Sequence, residues 1–170
     1  VKSTPDAGVG INPVRLYDES DRPCVVTVSF GDSSWANAED LRSQTGLMVL
    51  FPSPEVLSGS VSASLVDFRS CRTKRVVRST LAAEANAADN AVDHGYYAAA
   101  FLSEALTGRS CLDRENVEVK LYAATDCKSL YDALQKEQPS VEERRTLIDI
   151  KSIRETLAIE GFRWVPTTEM

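Results

Sequence analysis

The chain has 170 residues, 43% of them hydrophobic, enough for one well-filled core and short for two domains. With 25 acidic against 19 basic residues and a net charge of −6, it is not a uniformly basic nucleic-acid binder, although the distribution of charge matters more than its sum. No run of about 18 apolar residues is available to cross a membrane. The opening "VKSTPDAGVG" lacks the apolar segment of a signal peptide. Cys24, Cys71, Cys111 and Cys127 show no CxxC spacing and His94 is the single histidine, which argues against zinc and for reduced thiols packed in a core. An intracellular setting, cytoplasmic or nuclear rather than secreted, is the expectation.

Residues 1–23 carry Pro5, Pro13 and Pro23 without a sustained period and read as a lead-in or linker, with the fold spanning 24–170. "CVVTVSFGD" is β-rich, and Val26, Val28, Phe30 and Asp32 share one parity, which predicts an acid at the strand's end on the apolar side. "TGLMVLF" predicts a second strand and "SASLVDF" a third, after the Pro and Gly break at 52–59; short connections make these an antiparallel meander. A long helix follows at roughly 79–106, with Ser79 or Thr80 as N-cap and Gly108 as its stop.

Along that helix Leu81, Ala85, Ala88, Val92, Gly95, Ala99, Leu102 and Leu106 fall on one stripe, with Glu84 on its edge over Leu102 and His94 on the solvated polar side. The Glu84 carboxylate therefore points inward. A buried carboxylate costs several kcal/mol unless it is well hydrogen-bonded or coordinates a metal.

"VEVKLYAAT" predicts a fourth strand running into Asp126 at a strand-to-helix junction, where an Asp serves either as an N-cap or as a working group. "CKSLYDALQK" has helical spacing. After Pro139 a further helix is expected over 141–159, turning Leu147, Ile150, Ile153 (or Arg154) and Leu157 to the core. Gly161 ends it, and "FRWVPT" is a last short strand with Trp164 in the core. Asp67 and Asp149 read as structural acids.

Charge is uneven. Between Asp67 and Glu84 lie Arg69, Arg72, Lys74, Arg75 and Arg78 with no acid among them, whereas "QKEQPSVEE" is acid-rich. The basic run is either a phosphate-contacting surface or a solvated loop and helix entrance. Trp35, just after Asp32, either stacks on nucleic acid or packs at an edge. Three acids sit at strand ends or inside the first helix, and their convergence would call for divalent cations, the usual setting of phosphoryl transfer.

In this order the residues resemble the ribonuclease H domain that ends the Pol polyprotein of Copia-type retrotransposons. "SFGDSSWANAEDLRSQTGLMVLF" resembles the family's first two strands, and "SLVDFRSCRTKRVVRSTLAAEANAADNAVDHGYYAAAFLSEAL" its third strand, basic turn and long helix. "VKLYAATDCKSLYDAL" resembles the fourth strand with its Asp, and "ERRTLIDIKSIRE" the following Ile-Asp and Ile-Arg-Glu segment. The family's frequent Lys-His before the Ile-Asp pair is replaced here by Thr146 and Leu147.

The resemblance implies a ribonuclease H-like α/β fold, a mixed five-stranded sheet with helices packed on it. It implies that Asp32, Glu84 and Asp126 hold two Mg²⁺ ions (or Mn²⁺) and cut the RNA strand of RNA:DNA hybrids. Arg69, Arg72, Lys74, Arg75, Arg78 and Trp35 would contact the nucleic acid, and a reverse transcriptase domain would precede. "RWVPTTEM" stops before the family's fourth metal-binding Asp, so the expected domain lacks its C-terminal segment. The alternatives are an inactive retroelement-derived fragment that at most binds nucleic acid, and an unrelated α/β interaction domain.

Overall fold

A computed structural model describes residues 16–17, 19, 24–35, 43–111, 114–157 and 161–166. Five strands, β1 (Thr27–Ser34), β2 (Gln44–Pro52), β3 (Ala63–Arg72), β4 (Leu121–Thr125) and β5 (Phe162–Trp164), form one sheet in the order β3-β2-β1-β4-β5. β1, β2 and β3 are successive antiparallel neighbours, and β4 and β5 run parallel to β1. The helices are α1 (Thr80–Thr107), between β3 and β4, and α2 (Lys128–Gln135) and α3 (Arg144–Thr156), between β4 and β5. This is the mixed five-stranded sheet, with helices packed on it, that the resemblance implies. No helix among the described residues is long and apolar enough to cross a membrane.

α1 begins where the sequence predicts. The Ser79 hydroxyl accepts from the Ala82 amide at 3.1 Å, and Gly108, at φ 68°, closes the helix in the left-handed conformation that a side chain resists. Its buried stripe packs on the sheet and on α2 and α3, where Leu130, Ile150, Ile153 and Phe162 are almost completely enclosed. Leu47 and Val49 of β2 meet Ala91 of the same helix.

The helix lies on the opposite parity of β1 from that expected. Thr27, Ser29, Gly31 and Ser33 face α1, not Val26, Val28, Phe30 and Asp32. A Cβ on Gly31 would lie 2.6 Å from the Ala87 carbonyl oxygen, and one on Gly95 would lie 3.0 Å from Cβ of Ser29. Small side chains allow this close approach, which hydrophobic parity does not register. On the other face Phe30, Met48 and Phe68 stand in register, with Phe68 73% exposed.

β3 extends through Arg72, so Arg69 and Arg72 belong to a strand rather than to a turn; β4 is shorter than expected and begins at Leu121. α3 occupies 144–156. Ile153 is buried, while Arg154 turns its guanidinium onto the carbonyls of Ala133, Leu134, Lys136 and Glu137, the open C-terminal end of α2.

His94 is not a free surface residue: its Nδ1–H donates to Asp67 Oδ2 at 2.8 Å, tying α1 to β3. Only Cys111 is a buried thiol; Cys24 and Cys127 are half-buried and Cys71 is exposed on the edge strand. Leu16 and Tyr17 of the expected lead-in are attached, the Leu16 carbonyl to the Cys24 amide at 2.9 Å and the Tyr17 hydroxyl to the Leu106 carbonyl at 2.8 Å. The rest of that lead-in, residues 1–15, 18 and 20–23, and the final 167–170 lie outside the described residues.

Candidate functional site

The parallel pairing of β1 with β4 matches Phe30 to Ala124. Continued by two residues, that register sets Asp32 level with Asp126 at one edge of the sheet. Glu84, in the second turn of α1, is held over the same edge by the close approach at Gly31. One carboxylate oxygen from each of Asp32, Glu84 and Asp126 lies within 4.8 Å of the others.

Their environments differ. Asp32 is exposed and Asp126 half-buried, but Glu84 is only 6% exposed. Its Oε1 accepts from the Ser33 hydroxyl at 2.9 Å, and its Oε2 is buried with no hydrogen-bond partner among the described residues. Burial, with Asp32 and Asp126 adding to it against the Ser33 hydrogen bonds, pushes the Glu84 carboxyl up to about 7. A buried acceptor facing two further carboxylates is the donor set of a hard divalent cation: all oxygen, anionic, with one lone-pair site held open.

Asp126 stands one residue before the N-cap of α2. The N-cap is Cys127, which makes no side-chain capping bond. The backbone of Asp126 is clamped by Trp164, whose indole N–H donates to the Asp126 carbonyl at 3.1 Å. The Lys128 ammonium lies 5.0 Å from the Trp164 ring centroid and 5.0 Å from that of Tyr131. Trp164 is therefore not a core residue. It is level with Thr125, the last residue of β4, where the core runs out, and is 39% exposed. Sequence reasoning missed this clamp and the Ser33 bond; the serine immediately following Asp32 is the one signal that pointed to the latter.

The basic run is divided by the fold. Arg69, Arg72, Lys74 and Arg78 are exposed. Arg75 is half-buried and gives its guanidinium to Asp149, from Nη1 to Oδ1 at 3.1 Å with a second contact from Nη2 to Oδ2. That pairing accounts for Asp149, a carboxylate 4% exposed in α3. Beside it, burial pushes Asp89 up to about 6, with Asp93 and Asp149 adding to it while the Ser152 hydroxyl and Arg75 oppose. Trp35 is 46% exposed, its indole N–H 3.4 Å from the Val77 carbonyl at the entrance to α1.

No family model matches the chain and no curated protein matches it. Among solved structures it is similar to ribonuclease H1 from the halophilic archaeon Halobacterium salinarum, at 12% identity and a TM-score of 0.48 over 84% of this chain and 86% of that one. It is also similar to the foamy viral protease-reverse transcriptase in complex with RNA/DNA hybrid, at 11% identity and 0.48 over 98% of this chain and 20% of the viral one. The native prototype foamy virus protease-reverse transcriptase gives 12% and 0.47 over 91% of this chain and 18% of that chain. Likeness at this level concerns the course of the chain alone; the fold rests on the strand order and polarity above.

Proposed function

We propose that this chain is the ribonuclease H domain of a Copia-type retrotransposon polyprotein, a metal-dependent endonuclease that hydrolyses the RNA strand of RNA:DNA hybrids. The observation that carries the reading is the convergence of three carboxylates at the edge where β1 and β4 end, one of them buried with an oxygen that has no partner among the described residues. The ordered sequence motifs around Asp32, Glu84 and Asp126 support the Copia assignment.

Asp32, Glu84 and Asp126 would hold divalent cations, expected as two Mg²⁺ with Mn²⁺ as substitute. Bound there, such ions supply Lewis acidity, making a water nucleophilic at neutral pH and stabilising the leaving oxygen of the phosphodiester. The chain's own residues do the positioning. Ser33 fixes the Glu84 rotamer by its hydrogen bond, and Trp164 steadies the backbone that carries Asp126. The exposed cations of the basic run, Arg69, Arg72, Lys74 and Arg78, face the nucleic acid with Trp35. A hybrid held this way is recognised by backbone shape and 2′-hydroxyls rather than by base sequence. In the family, a reverse transcriptase on the same polyprotein would deliver that hybrid.

The test is cleavage of a labelled RNA:DNA hybrid in Mg²⁺ and in Mn²⁺, with double-stranded DNA as control and Glu84→Gln as the variant. Hybrid-specific cutting that disappears in the variant is the expected result. A folded chain that binds hybrid and never cuts it would overturn the nuclease reading and leave a binding module.

A further inference from the structure

Cations also gather far from the carboxylates, around a pocket of about 430 Å³ at the other end of the sheet. Tyr122, on its wall, precedes Asp126 by about 13 Å of strand, and Tyr96, which also lines it, lies about 18 Å beyond Glu84 along α1. Unequal strand lengths make the opening. β5 pairs with β4 only at Ala123, Ala124 and Thr125, so Leu121 and Tyr122 have β1 on one side and no strand on the other among the described residues.

The floor is apolar, with Ala99, Val119 and Leu157 buried, and the rings of Tyr96 and Tyr122 are half-buried above it. Arg114, Lys120 and Arg163 are exposed at the rim, and none of the described residues lining the pocket is acidic. Glu118, between two lining valines, is turned instead to Arg109 at 4.0 Å. In a chain of net charge −6 this is a local inversion of charge. The side chains of Lys120 and Arg163 have no hydrogen-bonding or ionic partner among the described residues. Arg163 is level with Ala124, and Lys120 and Tyr122 share the parity of Ala124, so both cations stand on the sheet face of Tyr122, away from α1. Arg114 is already positioned: its Nη1–H donates to the Glu155 carbonyl, and its Cζ lies 5.4 Å from the Tyr96 ring centroid.

Cations beside aromatic rings over an apolar floor select a ligand that is anionic at one end and flat at the other. With no acid among these residues, an amine gains nothing there. Three cations exceed what one carboxylate can use and suit a chain of phosphates. The volume falls within the roughly 300–1,000 Å³ of small-molecule pockets. We propose that this pocket is a second binding site, for a nucleoside phosphate, with the base on Tyr122 and the phosphates among Lys120, Arg163 and Arg114. It stands independently of the nuclease reading, since neither the carboxylates nor the basic run takes part in it.

The experiment is isothermal titration calorimetry in EDTA at low salt, so that neither cutting nor cations at the carboxylates play a part. ADP, adenosine and pyrophosphate are titrated into the wild type, Lys120→Gln, Arg163→Gln, Tyr122→Leu and, on the basic run, Lys74→Gln, each checked for folding by circular dichroism. One ADP per chain should bind, at least about tenfold more tightly than adenosine or pyrophosphate. Lys120→Gln and Arg163→Gln should each weaken ADP about tenfold. Tyr122→Leu should weaken ADP by about the same factor and leave pyrophosphate unchanged. No ADP binding at millimolar concentration would overturn the proposal. So would pyrophosphate bound as tightly as ADP, since the pocket would then take any small anion. ADP binding weakened by Lys74→Gln and by neither Lys120→Gln nor Arg163→Gln would put the ligand on the basic run and overturn it equally. A chain that binds ADP as expected and never cleaves hybrid would lose the nuclease reading alone; one that cleaves hybrid and takes no ADP would lose this one alone.

Discussion

Replacing Glu84 by Gln keeps the shape of the side chain and the bond from Ser33 and removes the charge. The new amide N–H₂ would face the carboxylates of Asp32 and Asp126, so it is not left unpaired. In the metal-free protein the Glu84 carboxyl is pushed up from 4.5 to about 7, chiefly by burial. The folded chain thus binds a proton there that the unfolded chain has released, and stability falls as pH rises through that interval from 4.5 to about 7. Above the folded value the whole penalty is present; below the unfolded value it is absent.

At about 1.36 kcal/mol per pH unit of difference, the penalty is roughly 3 kcal/mol at pH 8 and under about 1 kcal/mol at pH 5. Urea unfolding in EDTA should therefore find Glu84→Gln more stable than wild type by roughly that amount at pH 8, and nearly equal to it at pH 5. Asp89, pushed up to about 6, adds pH dependence of the same sign in both proteins and cancels in the difference. Mg²⁺ at pH 8 should raise the stability of wild type and much less that of the variant, because only the charged carboxylate rewards the cation. A variant no more stable than wild type at pH 8, or a difference that ignores pH, would refute the burial argument.

Gly31→Ala drives a Cβ to 2.6 Å from the Ala87 carbonyl oxygen, so α1 must move; a loss of about 1–3 kcal/mol in urea unfolding is expected, with loss of cleavage as Glu84 shifts with the helix. Arg75→Met leaves the nearly enclosed Asp149 carboxylate without its partner and should cost about 3 kcal/mol, part of which Asp149→Asn in the same chain returns; a double-mutant cycle checks it. Arg154→Ala uncovers the carbonyls at the end of α2 and should lower stability by about 2 kcal/mol, read as a lower urea midpoint with an unchanged slope.

The antiparallel meander and the long helix were legible because their signals are local: short connections between β-rich runs, Ser79 and Gly108 as punctuation, and a stripe of small and aliphatic residues; the place of β4 beside β1 carries no such signal. The inward Glu84 was legible for the same reason, since helical projection needs no partner. Its meeting with Asp32 and Asp126 followed only from the family resemblance, as three acids 52 and 42 positions apart carry no local signal of contact. What stayed illegible depends on pairing across elements. Arg75 looks like its neighbours in sequence and differs only because α3 brings Asp149 beneath it. His94 projects to a polar side that β3 then covers with Asp67. Trp164 has the composition of a core residue, but the level of β5 against β4 sets it past the end of the core.

The failed parity of β1 and the geometry of the carboxylates have one cause. A strand that turned Val26, Val28 and Phe30 to the helix would hold α1 off by the bulk of those side chains. This strand turns Thr27, Ser29, Gly31 and Ser33 to it instead, and the hydroxyl oxygens of Thr27 and Ser29 are buried without partners among the described residues. Such burial costs stability, on the order of 1–3 kcal/mol for each unpaired group. In return the helix backbone reaches contact with Gly31, and a carboxylate on its second turn meets one at the end of β1 and one after β4 within 4.8 Å. The arrangement is thus locally unfavourable along the packed face of β1, at the hydroxyls, and at its end, at Glu84, where, on the proposed reading, divalent cations would relieve the repulsion among the acids.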